Sequence, residues 1–314
     1  MGNQISPNPN PLRDADGAIQ YLFPEDGDYN SIIFQNNGII ENDGVTLSNN
    51  TTGTLNNNNG GMLYNDGSST LNNDGTLNNN GGGTLNTFNH SKLNNSGTLN
   101  NSGTLTNNTT CTLNTSGRLN NSGTLKNGNI LNNSGMLTND GGRLYTYKSP
   151  INSTLNNLDR LYNYNNSTLN NDGTLNNNDS STLDNDDSST LNNGGMLNNN
   201  GGGTLKNSGK LYNNDGGTLY NDDSSTLNNT GWLKNKSGAT LINDGTIDNS
   251  NNYLGERGFI NKGIYTGTGV ILGSWTDHGT VKPGISAGGM LVNGSYYKEG
   301  GSTEIELGGI DDGD

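Results

Sequence analysis

Residues 111–137 read C-T-L-N-T-S-G-R-L-N-N-S-G-T-L-K-N-G-N-I-L-N-N-S-G-M-L. A leucine stands at every sixth position (Leu113, Leu119, Leu125, Leu131, Leu137), each inside a variant of one phrase, T-L-N-N-D/S-G. The phrase extends outward from this stretch, from Leu47 to Leu144 and, after a break, from Leu155 to Ile247, mostly at spacings of six or eight. Self-similarity at so short a period marks a solenoid, in which each unit buries its apolar residue against the next.

The phrase specifies a short strand and a corner. Gly, Asn, Asp, Ser and Thr dominate it, and single leucines six or eight apart make no stripe at helical spacing, so helix is excluded. In T-L-N-N the two-residue alternation of a strand points Leu inward, Thr and the first Asn outward, and the second Asn inward beside the corner. The following D/S-G reads as a turn, with Gly supplying a positive φ and Asp, Asn or Ser bonding the local backbone. Six residues make a tight corner; eight insert two more, as in N-G-G-G-T-L or N-D-S-S-T-L. Three faces then close a coil of roughly 18–24 residues, and coils stack ~4.8 Å apart. The expected fold is all-β, a parallel β-helix (three-faced β-solenoid) of roughly 9–12 coils. A left-handed hexapeptide helix is the runner-up, favoured by the sixes and opposed by the eights.

Composition fits that reading and excludes others. Only 27% of the residues are apolar and 6% aromatic, while Asn and the 49 Gly exceed a third of the chain. Such a chain could not fill a conventional core and would be disordered, were it not for the regular leucines. Inward Asn would be costly alone; identical Asn one coil apart can instead form amide ladders, each donating upward and accepting from below. The net charge of −14 and pI near 4.3 exclude a basic nucleic-acid face. No stretch approaches the ~18 apolar residues of a membrane span. The single cysteine, Cys111, excludes an internal disulfide framework and fills a small-residue slot two before Leu113. M-G-N-Q-I-S matches a myristoylation pattern, equally explained by an initiator Met on an excised fragment.

A longer period overlies the short one. From Leu155 the spacings run 6, 8, 6, 8, 8 and repeat, so Leu155, Leu191 and Leu227 lie 36 residues apart. Five faces per duplicated unit is not a multiple of three, so copies should land on different sides of the coil, which opposes a single specialised face.

The repeat falters at Y-T-Y-K-S-P-I-N-S between Leu144 and Leu155, followed by R-L-Y-N-Y. Pro150 cannot join a ladder, so an outward bulge is expected there. Tyr145 and Tyr147 share one outward parity, as do Tyr162 and Tyr164; with Arg160 they are the candidate glycan contacts. Residues 1–30, with Pro7, Pro9, Pro11 and Pro24, read as a leader and N-terminal cap, residues 31–250 as the Asn/Gly/Leu solenoid, and residues 251–314 as a C-terminal solenoid and cap segment, truncated at Asp314.

Residues 279–309 read G-T-V-K-P-G-I-S-A-G-G-M-L-V-N-G-S-Y-Y-K-E-G-G-S-T-E-I-E-L-G-G. This resembles the segment closing the passenger β-helix of autotransporter-like and large cyanobacterial surface proteins: a P-G-x-S-x-G turn, then L-x-V-x-G-x-Y, then an alternating strand ending in E-L-G-G. The resemblance covers about thirty residues here, with loose N-x-G-T-L/I repeats over most of the rest. It implies a right-handed β-helix displayed outside the cell, with roles in adhesion, aggregation or surface structure.

Catalysis on such a fold would need carboxylates paired across a groove, ~5–9 Å apart for glycoside hydrolysis. The candidates are Asp184, Asp186, Asp187, Asp222 and Asp223. The corner after Leu183 should stack on Asn207-Ser208-Gly209, and the acidic corner after Leu219 should fall on another column, so no carboxylate column is expected. His90 and His278 have no evident partners. Asp-rich corners offer oxygen ligands for calcium, yet no calcium-binding nonapeptide or EF-hand loop is present; no cofactor is expected. The sequence therefore reads as a non-catalytic extracellular or cell-surface stalk or adhesin, whose partners are surface or matrix glycans or other copies of itself. The alternative is an ice- or carbohydrate-binding solenoid that uses outward Thr and Asn arrays or exposed Tyr.

Overall fold

The computed structural model describes residues 53–305 except 59, 148–152, 252–256 and 285–288, together with 12–13, 19–20, 33–36, 39–43, 46–49 and 51. No helix occurs among the described residues. The chain forms two compact units, residues 1–162 with 166–168, and residues 163–165 with 169–314. Both wind as parallel three-sheeted β-solenoids, about 11 turns in all. A short antiparallel pair, Leu12–Arg13 with Ile19–Gln20, precedes the first coils. The Pro150 bulge, the I-S-A-G turn and the E-L-G-G end lie outside the described residues.

Strand Thr98–Asn101 shows how the phrase folds: Thr98 and Asn100 are half-exposed, and Leu99 and Asn101 buried. The strands stack with phrase on phrase. In the first unit one column runs Leu77, Leu99, Leu119, Leu137, and others run Leu63, Leu85, Leu105, Leu125, Leu144 and Leu71, Leu93, Leu113, Leu131, Leu155. In the second unit Leu183, Leu205, Leu227, Ile247 and Ile271 form one column. Burying each such side chain contributes roughly 1.5–3 kcal/mol, so one aliphatic per face suffices where the coils repeat. The composition changes after Ile247 while the winding continues: Leu233 is followed by Phe259 and Trp275, and Leu241 by Tyr265 and Val281. There, rings stack where leucines stood, with Phe259 and Trp275 centroids 5.0 Å apart.

The duplicated unit scatters its copies over the sheets. Within the second unit, Leu191 and Leu227 lie on different sheets, as do Leu197 and Leu233, and Leu205 and Leu241. Coil lengths vary more widely than the expected range. Equivalent residues are 18 apart at Asn121 and Asn139 and 22 apart at Asn79 and Asn101. They reach 26 at Asn235 and Asn261 and contract to 16 at Asn261 and Asp277.

The inward Asn form the polar half of the interior. Asn57, Asn79, Asn101, Asn121 and Asn139 each donate an Nδ2–H to the Oδ1 of the next, at 2.7 Å throughout. Each of the first four also donates to the backbone carbonyl of a strand start one coil on, as Asn101 does to Thr124. The second unit repeats this from Asn163 through Asn185, Asn207 and Asn229 to Asn249. All these ladders donate toward the C-terminus. The outward Asn ladders run the opposite way: Asn120 donates to Asn100, Asn100 to Asn78, and Asn78 to Asn56. The inner direction leaves donors at the C-terminal end of each ladder. One ladder ends on a carboxylate there, where the buried Asp277 accepts from Asn261 at 2.7 Å and pairs with Lys298 at 2.6 Å. A negative group at the donor end of aligned dipoles is the favourable arrangement, as at a helix N-terminus. One ladder has a gap. Thr115 accepts from Asn95 but leaves the buried Oδ1 of Asn133, one coil on, without a partner.

The corners correct the sequence reading of glycine. At the tight corners Gly97, Gly103, Gly117, Gly123 and Gly135 are not among the residues of positive φ. They are glycine because the corners stack in contact: a β-carbon on Gly117 would overlap the carbonyl oxygens of Gly97 and Ser96. Positive φ belongs to the wide corners, at Gly82 (φ 79) and Gly238 (φ 80), and is taken there without glycine by Asn89–His90 and Asp179–Ser180. Cys111 is fully buried, and its carbonyl accepts from Asn129 at 2.9 Å.

Candidate binding surface

The tyrosines at the break do not form one platform. Tyr145 lies in strand Arg143–Thr146 and Tyr147 just beyond it, both half-exposed. Their rings stack in parallel, centroids 6.1 Å apart and planes 7° apart, and Lys126 sits one coil earlier in the same outward column as Tyr145. The neck of the insertion is closed by reciprocal bonds: Tyr147 N–H donates to Ser153 Oγ at 2.6 Å, and Ser153 N–H to the Tyr147 carbonyl at 2.8 Å. Tyr162 and Tyr164 belong to strand Arg160–Tyr164 on a different sheet, and the two residues fall in different units. Arg160 is exposed, its guanidinium 3.8 Å from the neighbouring Asp159 carboxylate. Of the two pairs expected from the parity, Tyr145–Tyr147 is stacked. A further pair was not anticipated: Tyr64 and Phe88, centroids 5.7 Å apart. Phe88 stands one residue past strand Thr84–Thr87, in the same outward phase as Tyr147, so the alternation extended by one position flags it.

The acidic corners stack partly as expected. Asp186 N–H donates to Asn163 O at 3.0 Å, and Ser208 of the next corner reaches Asp186 Oδ1 at 3.5 Å. Asp184 points outward opposite Lys206 one coil on; burial pushes its carboxyl up while Lys206 draws it down. Asp222–Asp223 fall on another column, yet that column carries a second acid. Asp222 N–H donates to Asn199 O and Asp244 N–H to Asn221 O, which places Asp244 one coil after Asp222. A carboxylate column of two therefore does form, against the expectation of none, because Asp244 stands one coil after Asp222. The Gly201 N–H, 3.2 Å from Asp222, holds that carboxyl low, and sharing with Asp222 pushes Asp223 up. These groups stand at convex corners rather than across a groove. Among the described residues no three His, Cys, Asp or Glu side chains come together as a metal-binding group. His90 occupies a wide corner, its N–H bonded to Thr110, and His278 lies 3.5 Å from Glu299. No helix among the described residues is long and apolar enough to cross a membrane.

No protein-family model matches the chain, and no curated protein matches it. Among solved structures, the chain is similar to a hyper-glycosylated TibA fragment whose glycosylation is catalysed by TibC. That likeness has 16% identity over 88% of this chain and 96% of the other, with a TM-score of 0.27, which is too low to equate the two folds.

Proposed function

We propose that the protein is an extracellular, non-catalytic solenoid with a structural and adhesive role, presenting outward residues to cell-surface or matrix glycans or to other copies of itself. One observation carries the reading. The inward positions are consumed by leucine packing and amide ladders, while duplicated phrases fall on different sheets. No face is therefore uniform, and contact sites arise locally, where aromatic residues interrupt the Thr and Asn columns. The stacked Tyr145–Tyr147 pair is one such place, since rigid aromatics give large contact area at low entropy cost.

Ice binding is the weaker reading. The longest described threonine column is Thr182, Thr204, Thr226, Thr246. Its companion outward column reads Asp184, Lys206, Asn228, Asp248, an irregular charged row beside the hydroxyls.

A glycan array probed with the full chain, with Tyr145→Ser/Tyr147→Ser and with Tyr162→Ser/Tyr164→Ser tests this. Retention by the wild type is expected to fall about tenfold in the first variant, ~1.4 kcal/mol, and little in the second. Thermal hysteresis should match that of an inert protein. Ice shaping, turnover of the arrayed glycans, or absence of both glycan retention and self-association would overturn the proposal.

A further inference from the structure

The second unit carries a cationic, aromatic patch that the adhesive reading does not use. On one sheet Lys210, Trp232 and Gly258 occupy successive positions of one outward column, and Tyr212, Lys234 and Ile260 those of the other. The corner that follows adds Lys236 and, one coil on, Lys262, as the bonds from Lys236 N–H to Asn213 O and from Lys262 N–H to Asn235 O show. Lys210 and Lys234 lie 5.3 and 4.7 Å from the Trp232 ring centroid, and Lys236 lies 4.6 Å from that of Tyr212. Lys234, Lys236 and Lys262 share with Asp215, Ser237 and Ile260 the wall of a cavity of about 430 Å³.

The charge distribution is the unusual part. The chain has 29 acidic residues against 15 Lys and Arg. Yet among the described residues none of these four lysines forms an ion pair, and Asp215 is the one carboxylate lining the cavity. Like charges one rung apart repel, so Lys236 stacked on Lys262 costs stability that an anionic ligand would return. Half-exposed Trp232 and Tyr212 supply flat apolar surface for the C–H faces of pyranose rings. Successive coils repeat at ~4.8 Å, about the length of one sugar residue. One charge per sugar therefore suits this lysine spacing, and flat sugar rings suit the half-exposed aromatic faces.

We infer that the Trp232 face binds an acidic polysaccharide, with its sugar rings laid on Trp232 and Tyr212 and its carboxylate or sulfate groups held by Lys210, Lys234, Lys236 and Lys262. The site is separate from the Tyr145–Tyr147 pair. The test is titration of the full chain with polygalacturonate, heparin, a neutral glucan and duplex DNA, at low and physiological salt. Polygalacturonate and heparin distinguish carboxylate from sulfate recognition. Binding to at least one acidic glycan is expected, weakening with salt as screening shortens toward ~8 Å. Trp232→Ala and Lys234→Gln/Lys236→Gln should each lower affinity about tenfold or more, with melting temperatures near wild type. Tyr145→Ser/Tyr147→Ser should leave it unchanged. Absence of binding to both acidic glycans, equal binding of the neutral glucan, tighter binding of DNA, or full affinity in Trp232→Ala would overturn the inference. If only the tyrosine variant lost glycan binding, this patch would fail while the adhesive reading stood.

Discussion

Gly117→Ala is expected to destabilise the first unit by about 3 kcal/mol, the upper part of the range for overpacking. The β-carbon would sit 2.6 Å from the Ser96 carbonyl carbon and overlap two backbone oxygens. Backbone atoms of a stacked corner cannot rotate away as a side chain can, so relief requires prising neighbouring coils apart. Ser96 and Gly97 both donate N–H bonds to Asn73 O at 2.9 Å, so that movement would strain the ladder below. Gly81→Ala is the control. Its β-carbon would meet nothing within 4 Å and its φ is not positive, so stability should hold or rise by ~0.5 kcal/mol as the unfolded chain loses freedom. Chemical denaturation of the two variants separates contact stacking from turn conformation as the reason for these glycines. Equal effects would refute the stacking account.

The second large effect concerns the ladder. Asn121 accepts from Asn101, and its amide donates to Asn139 Oδ1 at 2.7 Å and to the Arg143 carbonyl at 3.0 Å. Asn121→Ala removes these bonds and leaves a buried acceptor on Asn139 one donor short. Each unsatisfied group costs about 1–3 kcal/mol, and the vacated volume adds to it, so a loss of roughly 3 kcal/mol is expected by thermal or chemical denaturation. Thr115→Asn should act in the other direction. It places a donor beneath the orphaned Oδ1 of Asn133 and is expected to stabilise by about 1 kcal/mol. A neutral Asn121→Ala, or a destabilising Thr115→Asn, would mean that the ladders are incidental to stability.

Much of this architecture is legible in the sequence because it follows from periodicity alone. A leucine with polar residues on either side fixes the inward phase, and the residue two beyond it shares that phase, which makes the second Asn of the phrase a buried one. The 36-residue unit foretells that copies such as Leu205 and Leu241 change sheets. What is illegible depends on which phrases stand one coil apart. Gly117 looks like any turn glycine until Gly97 is placed against it. Asp222 and Asp244 are 22 residues apart, and only the register brings their corners together. The Tyr145 and Tyr162 strands look adjacent in sequence yet lie on different sheets. Lys210, Trp232, Lys236 and Lys262 look like scattered exceptions to the T-L-N-N phrase. Their one sequence signal is that each replaces an expected Thr, Asn or corner residue on columns that coincide every 22 to 26 residues.

The central claim is that the interior of each unit is half leucine and half a directional amide ladder. Side-chain amide hydrogen exchange measured by NMR tests it most directly, because inner and outer Asn of the same phrase both bond along a ladder, while only the inner ones are buried and bonded to a second, backbone acceptor. The inward amides of Asn79, Asn101, Asn121, Asn185 and Asn207 are expected to exchange only with opening of the coil, orders of magnitude more slowly than the outward amides of Asn78, Asn100 and Asn120. Comparable fast exchange at both sets would contradict the account.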